Sequence, residues 1–183
     1  MNFQEPTDFY PIGSPGQPWG TEERGVWLAR QVRHRSYADE VEARIDALRD
    51  AFDVVDYGEL NYGEDRYVLH ALRSRNWSSE RPTVLITGGV HGYETSGVQG
   101  ALDFAQHEAA RFADRVNLLI APCVSPWGYE RIHRWNPDAV DPNRSFRPDS
   151  PSREAAALMA FVGSLGEEIL MHMDLHETTD TDA

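Results

Sequence analysis

A histidine and a glutamate three residues apart form the first motif that could do chemistry. His91 and Glu94 follow the glycine pair Gly88-Gly89, and glycines allow a tight turn and a close approach of the backbone. Such a turn can direct an imidazole and a carboxylate at one metal ion. A chance pair of this kind is common in a chain with 7 histidines, so the pair alone fits a solvated loop equally well.

A third side chain, His176, could complete a metal site. It follows Met171-His-Met-Asp-Leu175, which is typical of a strand, and it would therefore leave the carboxyl end of that strand. Two histidines and one glutamate are typical ligands of catalytic zinc, and they leave a fourth position open for water. Without that context, a histidine at a strand end more often makes an ordinary hydrogen bond.

The segment Asp141-Pro-Asn143-Arg144-Ser-Phe146 places an amide donor beside a guanidinium. Such a pair can hold a carboxylate through charge-assisted hydrogen bonds. The alternative is a surface turn with an exposed charge.

Alternating strands and helices are predicted to position these residues. Residues 83–87, 116–121 and 169–175 are short apolar runs typical of buried strands, and a helix is predicted over residues 96–112. This order predicts an α/β fold with a mixed, largely parallel central sheet and helices on both faces. Ligand sites in such folds lie at the carboxyl ends of the strands.

The remaining elements are predicted from weaker signals. Apolar residues at helical spacing predict an amphipathic helix over residues 37–52, and two strands at the sheet edge are expected around Val54–Val55 and residues 67–69. Ser150 and Pro151 are expected to begin another helix. Residues 1–21 are rich in proline and glycine, which predicts an irregular arm.

The composition indicates a single domain over residues 1–183 and argues against several partners. With 17 Lys and Arg against 30 Asp and Glu, the formal charge is −13, which disfavours binding to nucleic acid or anionic lipid. Only Cys123 carries a thiol, and the first residues do not resemble a secretory signal, so a reducing, cytoplasmic setting is expected. No apolar run is long enough to cross a bilayer. The oligomeric state stays open.

Four motifs, in this order, resemble those of the zinc metallocarboxypeptidases of the carboxypeptidase A-like superfamily. They are His91-Gly-Tyr-Glu94, Ser125-Pro-Trp-Gly-Tyr129, Asp141-Pro-Asn-Arg-Ser-Phe146 and Asp174-Leu-His176. The last motif and the compact loop before Asn143 are more similar to the bacterial and cytosolic branches, near succinylglutamate desuccinylase and aspartoacylase, than to digestive carboxypeptidases. The resemblance extends from Thr83 to the end of the chain.

This resemblance implies a role for each matching residue. His91, Glu94 and His176 would bind one Zn²⁺ per chain. Asn143 and Arg144 would hold the free carboxylate of a peptide or of an N-acyl amino acid.

Other parts of the site match less directly. Asp141 would accept the outer ring N–H of His91, and a turn cap is an equal alternative. An arginine would polarise the scissile carbonyl, and we prefer Arg134 to Arg131 for this role. In the family a glutamate well downstream of the third ligand acts as general base. Because seven residues follow His176, we expect a domain that is incomplete at its C-terminus and a chain that is the N-terminal part of a longer protein.

Three further expectations concern residues around the site. Glu177, Thr178 and Thr179 are expected to line the cleft beside His176 or to form its loop. Cys123 is expected to be a buried structural thiol, and His172 a hydrogen-bonded core residue.

Three functions are consistent with these residues. The first is hydrolysis of C-terminal peptide bonds by metal-activated water. The second is hydrolysis of small N-acyl amino acids by the same apparatus. The third is a non-catalytic module that binds zinc or carboxylates.

Overall fold

The computed structural model describes residues 12–166 and 168–177. The chain divides into two compact units, Met1–Val32 and Arg33–Ala183. In the first unit, residues 12–20 form neither helix nor strand, and residues 1–11 of the predicted arm lie outside the described residues. Helix α1 (Thr21–Leu28) follows, and the Glu23 carboxylate accepts a 2.8 Å hydrogen bond from the Gly20 N–H at its start. This helix is not predicted because its apolar residues are consecutive and not spaced along one face.

A hairpin of two long strands begins the sheet of the second unit. Strands β1 (Phe52–Tyr62) and β2 (Asp65–Ser74) pair antiparallel, and Gly63 has a φ of +67° in the turn between them. The predicted helix over residues 37–52 is confirmed in part, as a π-helical turn (Ala38–Glu42) that continues into α2 (Ala43–Ala47). The prediction is wrong for its last five residues, because the helix ends at Ala47, residues 48–51 form a turn and Phe52 pairs with Ser74 at the start of β1.

Three more strands complete a five-stranded sheet in the order β1-β2-β4-β3-β5. Strand β3 (Thr83–Gly88) lies between β4 (Asn117–Ala121) and β5 (Ile169–Leu175) and is parallel to both, whereas β2 pairs antiparallel with β4. The predicted strands and the mixed α/β sheet are thus confirmed. Because β4, β3 and β5 are parallel, their carboxyl ends meet at one edge of the sheet.

Helices cover both faces of this sheet. Helix α5 (Arg153–Ser164) packs on one face through Phe161 and Val162, which contact the buried Leu85 and Leu119. Helix α3 (Thr95–His107) packs on the opposite face against β3 and β5. Alternate side chains of a strand point to opposite faces, which explains how the short apolar strands serve both helices.

Two helix boundaries differ from the prediction. Helix α5 begins after Ser152, whose hydroxyl accepts a 3.3 Å hydrogen bond from the Ala155 N–H, and the expected start at Ser150-Pro151 is wrong. The Ser150 hydroxyl is instead hydrogen-bonded to the Ser152 backbone. Helix α3 ends at His107, and a 3-10 turn at Ala109–Arg111 takes the place of its predicted last residues. A short helix, α4 (Pro126–Arg131), follows β4 and was not predicted.

Strand β5 leaves two apolar side chains exposed, Leu170 at 65% and Met171 at 47%. Met171 lines an open groove of about 820 Å³ between α3 and the sheet. Among the described residues, no helix is long and apolar enough to cross a membrane.

Helix α3 touches the end of β5 through a glycine. A Cβ atom on Gly97 would lie 2.2 Å from the carbonyl oxygen of Leu175, whereas a Cβ atom on Gly100 would meet no atom within 4 Å. The helix can therefore approach the strand end only because residue 97 has no side chain. Since Leu175 precedes His176, this contact fixes the start of the segment that carries His176.

Substitution of these two glycines should have opposite effects on the free energy of unfolding. Gly97→Ala forces two backbone segments apart and should lower it by about 1–3 kcal/mol or more. Gly100→Ala adds a methyl group in open space and reduces the entropy of the unfolded chain, so it should raise the free energy by about 0.4–1 kcal/mol. Urea unfolding of the two variants measures the difference. Equal urea midpoints would contradict the close contact between α3 and β5.

Candidate metal centre

The ends of β3 and β5 bring the three predicted metal ligands together. His91 and Glu94 lie on the loop between β3 and α3, and His176 follows β5 directly. The register of the parallel pair places Gly88 of β3 opposite Leu175 of β5, so both strands end at the same edge of the sheet. One potential ligand atom from each of the three side chains lies within 4.8 Å of the others.

The Glu94 carboxylate is the meeting point of the two imidazoles. Its Oε1 lies 2.8 Å from His91 Nδ1, and its Oε2 lies 2.7 Å from His176 Nδ1. Glu94 and His91 are each 2% exposed, whereas the His176 side chain is 33% exposed. Two Nδ1 atoms and a buried carboxylate that converge in this way fit the donor set and the spacing of a zinc site that is open on one side.

The outer nitrogen of each imidazole has a carboxylate partner of its own. His91 Nε2 lies 3.0 Å from Asp141 Oδ1, and His176 Nε2 lies 2.6 Å from Asp174 Oδ2. A carboxylate at Nε2 favours a proton on that nitrogen and leaves Nδ1 available to a metal ion. Asp141 Oδ1 also accepts a 2.9 Å hydrogen bond from the Asn143 N–H, so Asp141 occupies both positions considered for it, the partner of His91 and the turn cap.

Asp174 was not predicted to be a partner of His176. Its other oxygen, Oδ1, accepts a 2.7 Å hydrogen bond from the Thr87 hydroxyl, which also lies 2.8 Å from His172 Nε2. Alternate residues of a strand lie on the same face, so residues 172, 174 and 176 share a face, and this spacing could have indicated the contact between Asp174 and His176. His172 has the hydrogen bond that was expected, but it is exposed, so the prediction that it belongs to the core is wrong.

These contacts shift the pKa of two groups in opposite directions. Burial disfavours the charged form of Asp141, but hydrogen bonds from His91 and Arg134 outweigh it and lower the pKa of this carboxyl. Burial also disfavours the charged form of His176, but Glu94 and Asp174 outweigh it and raise the pKa of the imidazole. Asp141 and His176 thus both favour their charged forms. A cation that binds between the ligands has to displace the His176 proton.

Of the two candidate arginines, Arg134 lies at the centre. Its Nε donates to Asp141 Oδ2 over 3.1 Å, and its Nη1 donates to the Tyr93 hydroxyl over 3.4 Å. The Tyr93 ring stacks on His91, with 5.9 Å between ring centroids. Arg131 instead binds Asp65 in a largely buried network. Arg131 therefore connects α4 to β2, and Arg134 is the arginine close to the predicted ligands.

Asn143 and Arg144 lie on a 3-10 turn (Pro142–Arg144) directly after Asp141. Arg144 is exposed, and no ion pair within the described residues involves its guanidinium. Its charge is thus available to an anion near the centre, as a carboxylate-binding residue requires.

A buried glutamate orders the loop that precedes Asp141. The Glu154 carboxylate, 1% exposed, accepts a 3.1 Å hydrogen bond from the Asn136 side-chain amide. The Asn136 Oδ1 in turn accepts hydrogen bonds of 3.0 Å from the Asp138 and Val140 N–H groups. This link was missed, because Glu154 stands in a helix where an acidic residue is ordinarily solvated.

Two residues beside the centre have structural roles. Glu177 Oε2 accepts hydrogen bonds from the Ser96 N–H and hydroxyl, over 3.1 and 2.9 Å, at the start of α3. Thr178 and Thr179 lie outside the described residues. Cys123 is buried as predicted, and burial raises the pKa of its thiol, so it is not a reactive nucleophile.

The fold and this centre define the class of protein. A mixed α/β sheet with two imidazoles and a carboxylate at the ends of its parallel strands is carboxypeptidase-like, and solved structures agree. A proposed metallopeptidase from Shewanella baltica matches with 25% identity and a TM-score of 0.57, over 74% of this chain and 56% of that chain. A second, from Shewanella denitrificans, matches with 27% identity and a TM-score of 0.63, over 77% and 54%.

A more distant match has the same fold. The Pseudomonas aeruginosa metallo-carboxypeptidase, solved with (2-guanidinoethylmercapto)succinic acid, is 15% identical, with a TM-score of 0.60 over 76% of this chain and 39% of that chain. The chain thus spans about half the length of the two Shewanella neighbours.

The particular family follows from the sequence. The model of the succinylglutamate desuccinylase/aspartoacylase catalytic domain matches residues 80–182, which is more than half of the chain. The chain therefore belongs to this family, in agreement with the predicted branch. The comparison with curated protein sequences finds no match.

Loss of the Asp174 charge should weaken metal binding. In Asp174→Asn, one oxygen remains for both Thr87 and His176, so the imidazole loses its anionic partner. Removal of such an outer partner typically lowers metal affinity about 10- to 100-fold. Competition with a chromophoric zinc chelator measures this affinity. The control is Asp46→Asn, which removes an exposed carboxylate paired with Arg49. Equal zinc affinities of the two variants would contradict a role for Asp174.

Proposed function

We propose that this protein is a zinc-dependent hydrolase that cleaves an amide bond in a substrate with a free carboxylate. One observation carries the proposal, namely the convergence of both Nδ1 atoms on the buried Glu94 carboxylate while Asp141 and Asp174 hold the two Nε2 atoms. This arrangement brings three metal-binding atoms together, while the two outer carboxylates favour a proton on each Nε2 and leave each Nδ1 available to a metal ion.

In this proposal His91, Glu94 and His176 hold one Zn²⁺ ion. When bound, the ion would supply Lewis-acid activation of a water molecule and of the substrate carbonyl at neutral pH. The nitrogen and carboxylate donors suit zinc, whereas magnesium and calcium prefer sites made of oxygen alone.

Three residues of the loop after α4 would bind the substrate. Asn143 and the exposed Arg144 would hold the free carboxylate, because a guanidinium and an amide present several N–H donors to its two oxygens. Arg134 would stabilise the negative charge that develops on the scissile carbonyl oxygen. Its contacts with Asp141 and Tyr93 support this role, since they keep the guanidinium beside the metal ligands.

The described carboxylates around the centre are already engaged. Glu94 meets two imidazoles, Asp141 meets His91 and Arg134, Asp174 meets His176 and Thr87, and Glu177 caps α3. A general base needs an oxygen that can take a proton from water. We therefore propose that the base lies outside the described residues.

Two substrate classes have specific support. Hydrolysis of C-terminal peptide bonds is the first, and it is supported by the likeness to the two Shewanella proteins proposed as metallopeptidases. Hydrolysis of N-acyl amino acids is the second, and it is supported by membership of the succinylglutamate desuccinylase/aspartoacylase family. Both classes carry a free carboxylate next to the amide that is cleaved.

The test of zinc-dependent catalysis uses His176→Ala, with peptides of several lengths and N-succinyl and N-acetyl amino acids as substrates. Loss of one ligand should reduce turnover by several orders of magnitude, since metal activation supplies the nucleophile. His107→Ala, which removes an exposed histidine at the end of α3, is the control and should keep parental activity.

Three outcomes of this test are informative. A chelator should abolish the activity, and added zinc should restore it. If His176→Ala turned over substrate as fast as the parent, the catalytic assignment would be wrong. If the parent bound zinc and cleaved neither class, the result would favour the third function, a non-catalytic zinc-binding module, over hydrolysis of these two substrate classes.

Replacement of Arg144 should separate substrate binding from chemistry. Arg144→Met removes a charge-assisted interaction worth about 1.5–3 kcal/mol, which corresponds to a rise in KM of about 10- to 150-fold. The parent should also discriminate against substrates whose carboxylate is amidated, and this discrimination should disappear in the variant. Arg147→Met, which removes another exposed guanidinium of the same loop, is the control. A normal KM and intact discrimination in Arg144→Met would exclude Arg144 as the carboxylate-binding residue.

A further inference from the structure

The segment that opens the second unit is fixed to the end of α4. The N–H groups of His34 and Arg35 donate to the Glu130 carbonyl oxygen over 2.8 and 3.2 Å. The Tyr37 N–H donates to the Glu130 carboxylate over 3.0 Å. Glu130 is 4% exposed, so this anchor is inside the protein. The backbone of Arg35 therefore has a defined position next to α4.

The side chain of Arg35 reaches from α4 to the loop that carries His91 and Glu94. Its Nε donates to the Tyr129 carbonyl oxygen over 2.6 Å, and the guanidinium carbon lies 3.6 Å from the centre of the Tyr129 ring. Its Nη1 donates to the Thr95 hydroxyl over 2.6 Å, and its Nη2 donates to the Gly92 carbonyl oxygen over 3.2 Å. The Arg35 guanidinium thus connects α4 to Gly92 and Thr95, the residues on either side of Tyr93-Glu94.

The loop and α4 are in direct backbone contact at the same place. A Cβ atom on Gly92 would lie 2.0 Å from the carbonyl carbon of Gly128 and 2.1 Å from the Tyr129 nitrogen. There is no room for a side chain between Gly92 and Gly128, so α4 supports the loop on this side. Arg35 lies next to this contact, where the several N–H donors of its planar, fork-shaped guanidinium can fix the direction of the peptide groups around Glu94.

We propose that Arg35 is a positioning residue of the metal centre, which it serves by holding the Gly92–Thr95 loop so that Glu94 meets both imidazoles. This inference rests on the proposed metal binding by His91, Glu94 and His176. Arg35 lies upstream of residues 80–182, which the family model matches. The metal centre thus depends on a segment that precedes the matched region.

Arg131 provides the matched comparison. It is also a guanidinium packed on α4, it stacks over Trp127, and it binds Asp65 and the Tyr67 hydroxyl. Its hydrogen bonds go to the Asp65 and Tyr67 side chains of β2 and do not involve the Gly92–Thr95 loop. Loss of either arginine removes a buried network, but only loss of Arg35 removes contacts to that loop.

The experiment compares Arg35→Met, Arg35→Lys and Arg131→Met with the parent. Zinc affinity is measured by chelator competition, the visible spectrum of bound Co²⁺ reports the ligand geometry, and thermal unfolding without metal reports stability. Arg35→Met should lower zinc affinity about 10- to 100-fold and change the Co²⁺ spectrum at saturation. Arg131→Met should lower the unfolding temperature and leave both metal readouts unchanged. Arg35→Lys keeps the charge but not the fork, so its affinity should be intermediate.

Each result is decisive. Parental zinc affinity and Co²⁺ spectrum in Arg35→Met would overturn the proposal, and so would an equal loss of affinity in Arg131→Met. If Arg35→Met does not fold, Arg35→Lys decides, because a parental affinity and spectrum in that variant would show that the fork is not needed. If the parent itself bound neither Zn²⁺ nor Co²⁺, the proposed function would fail, which is distinct from a failure of the role of Arg35.

Discussion

The pairing of one buried carboxylate with two imidazoles is the interaction on which the rest of the site depends. An ionised carboxylate is costly to bury unless partners compensate for the lost water, and Glu94 is 2% exposed. Its partners come from two separate segments, the loop after β3 and the end of β5. The parallel pairing of these strands, the outer carboxylates Asp141 and Asp174, and the close contact at Gly97 all keep these three side chains aligned.

Support for the site comes from both sides of the ligand loop. On one side, Gly92 lies against Gly128 with no room for a side chain, and Arg35 joins the loop to α4. On the other side, Glu154 and Asn136 order the backbone that leads to Asp141. A binding site needs such supporting contacts, because small displacements of the ligands reduce both metal affinity and catalysis. Most of these supports are hydrogen bonds to backbone groups, which sequence motifs do not record.

Much of the fold could be predicted, because buried parallel strands appear as short apolar runs and the three core strands were found in this way. The predicted helix end at Phe52 was wrong, since the helical pattern continues into β1. The predicted start of α5 at Ser150 was wrong, since Ser150 and Ser152 are both suitable N-cap residues and Ser152 is the one used. The convergence of His91, Glu94 and His176 could be predicted from residue types and order. The contact of Asp174 with His176 was missed, although strand periodicity placed both residues on one face. Arg35 could not be found, because its contacts join residues 57 to 94 positions apart and follow no local pattern. Cytoplasmic location stays a prediction.

The distance along the chain between Glu94 and His176 has a consequence for folding. These partners are 82 residues apart, and they meet only after β5 has added to β3. Contacts between distant segments form late, because the entropy of closing a long loop must be overcome first. His91 and Glu94 lie on one loop and can meet early in folding, but the third residue, His176, joins them only in the fully formed sheet. The proposed metal binding should therefore act as a late step that selects correctly assembled chains and leaves partly folded ones without the ion.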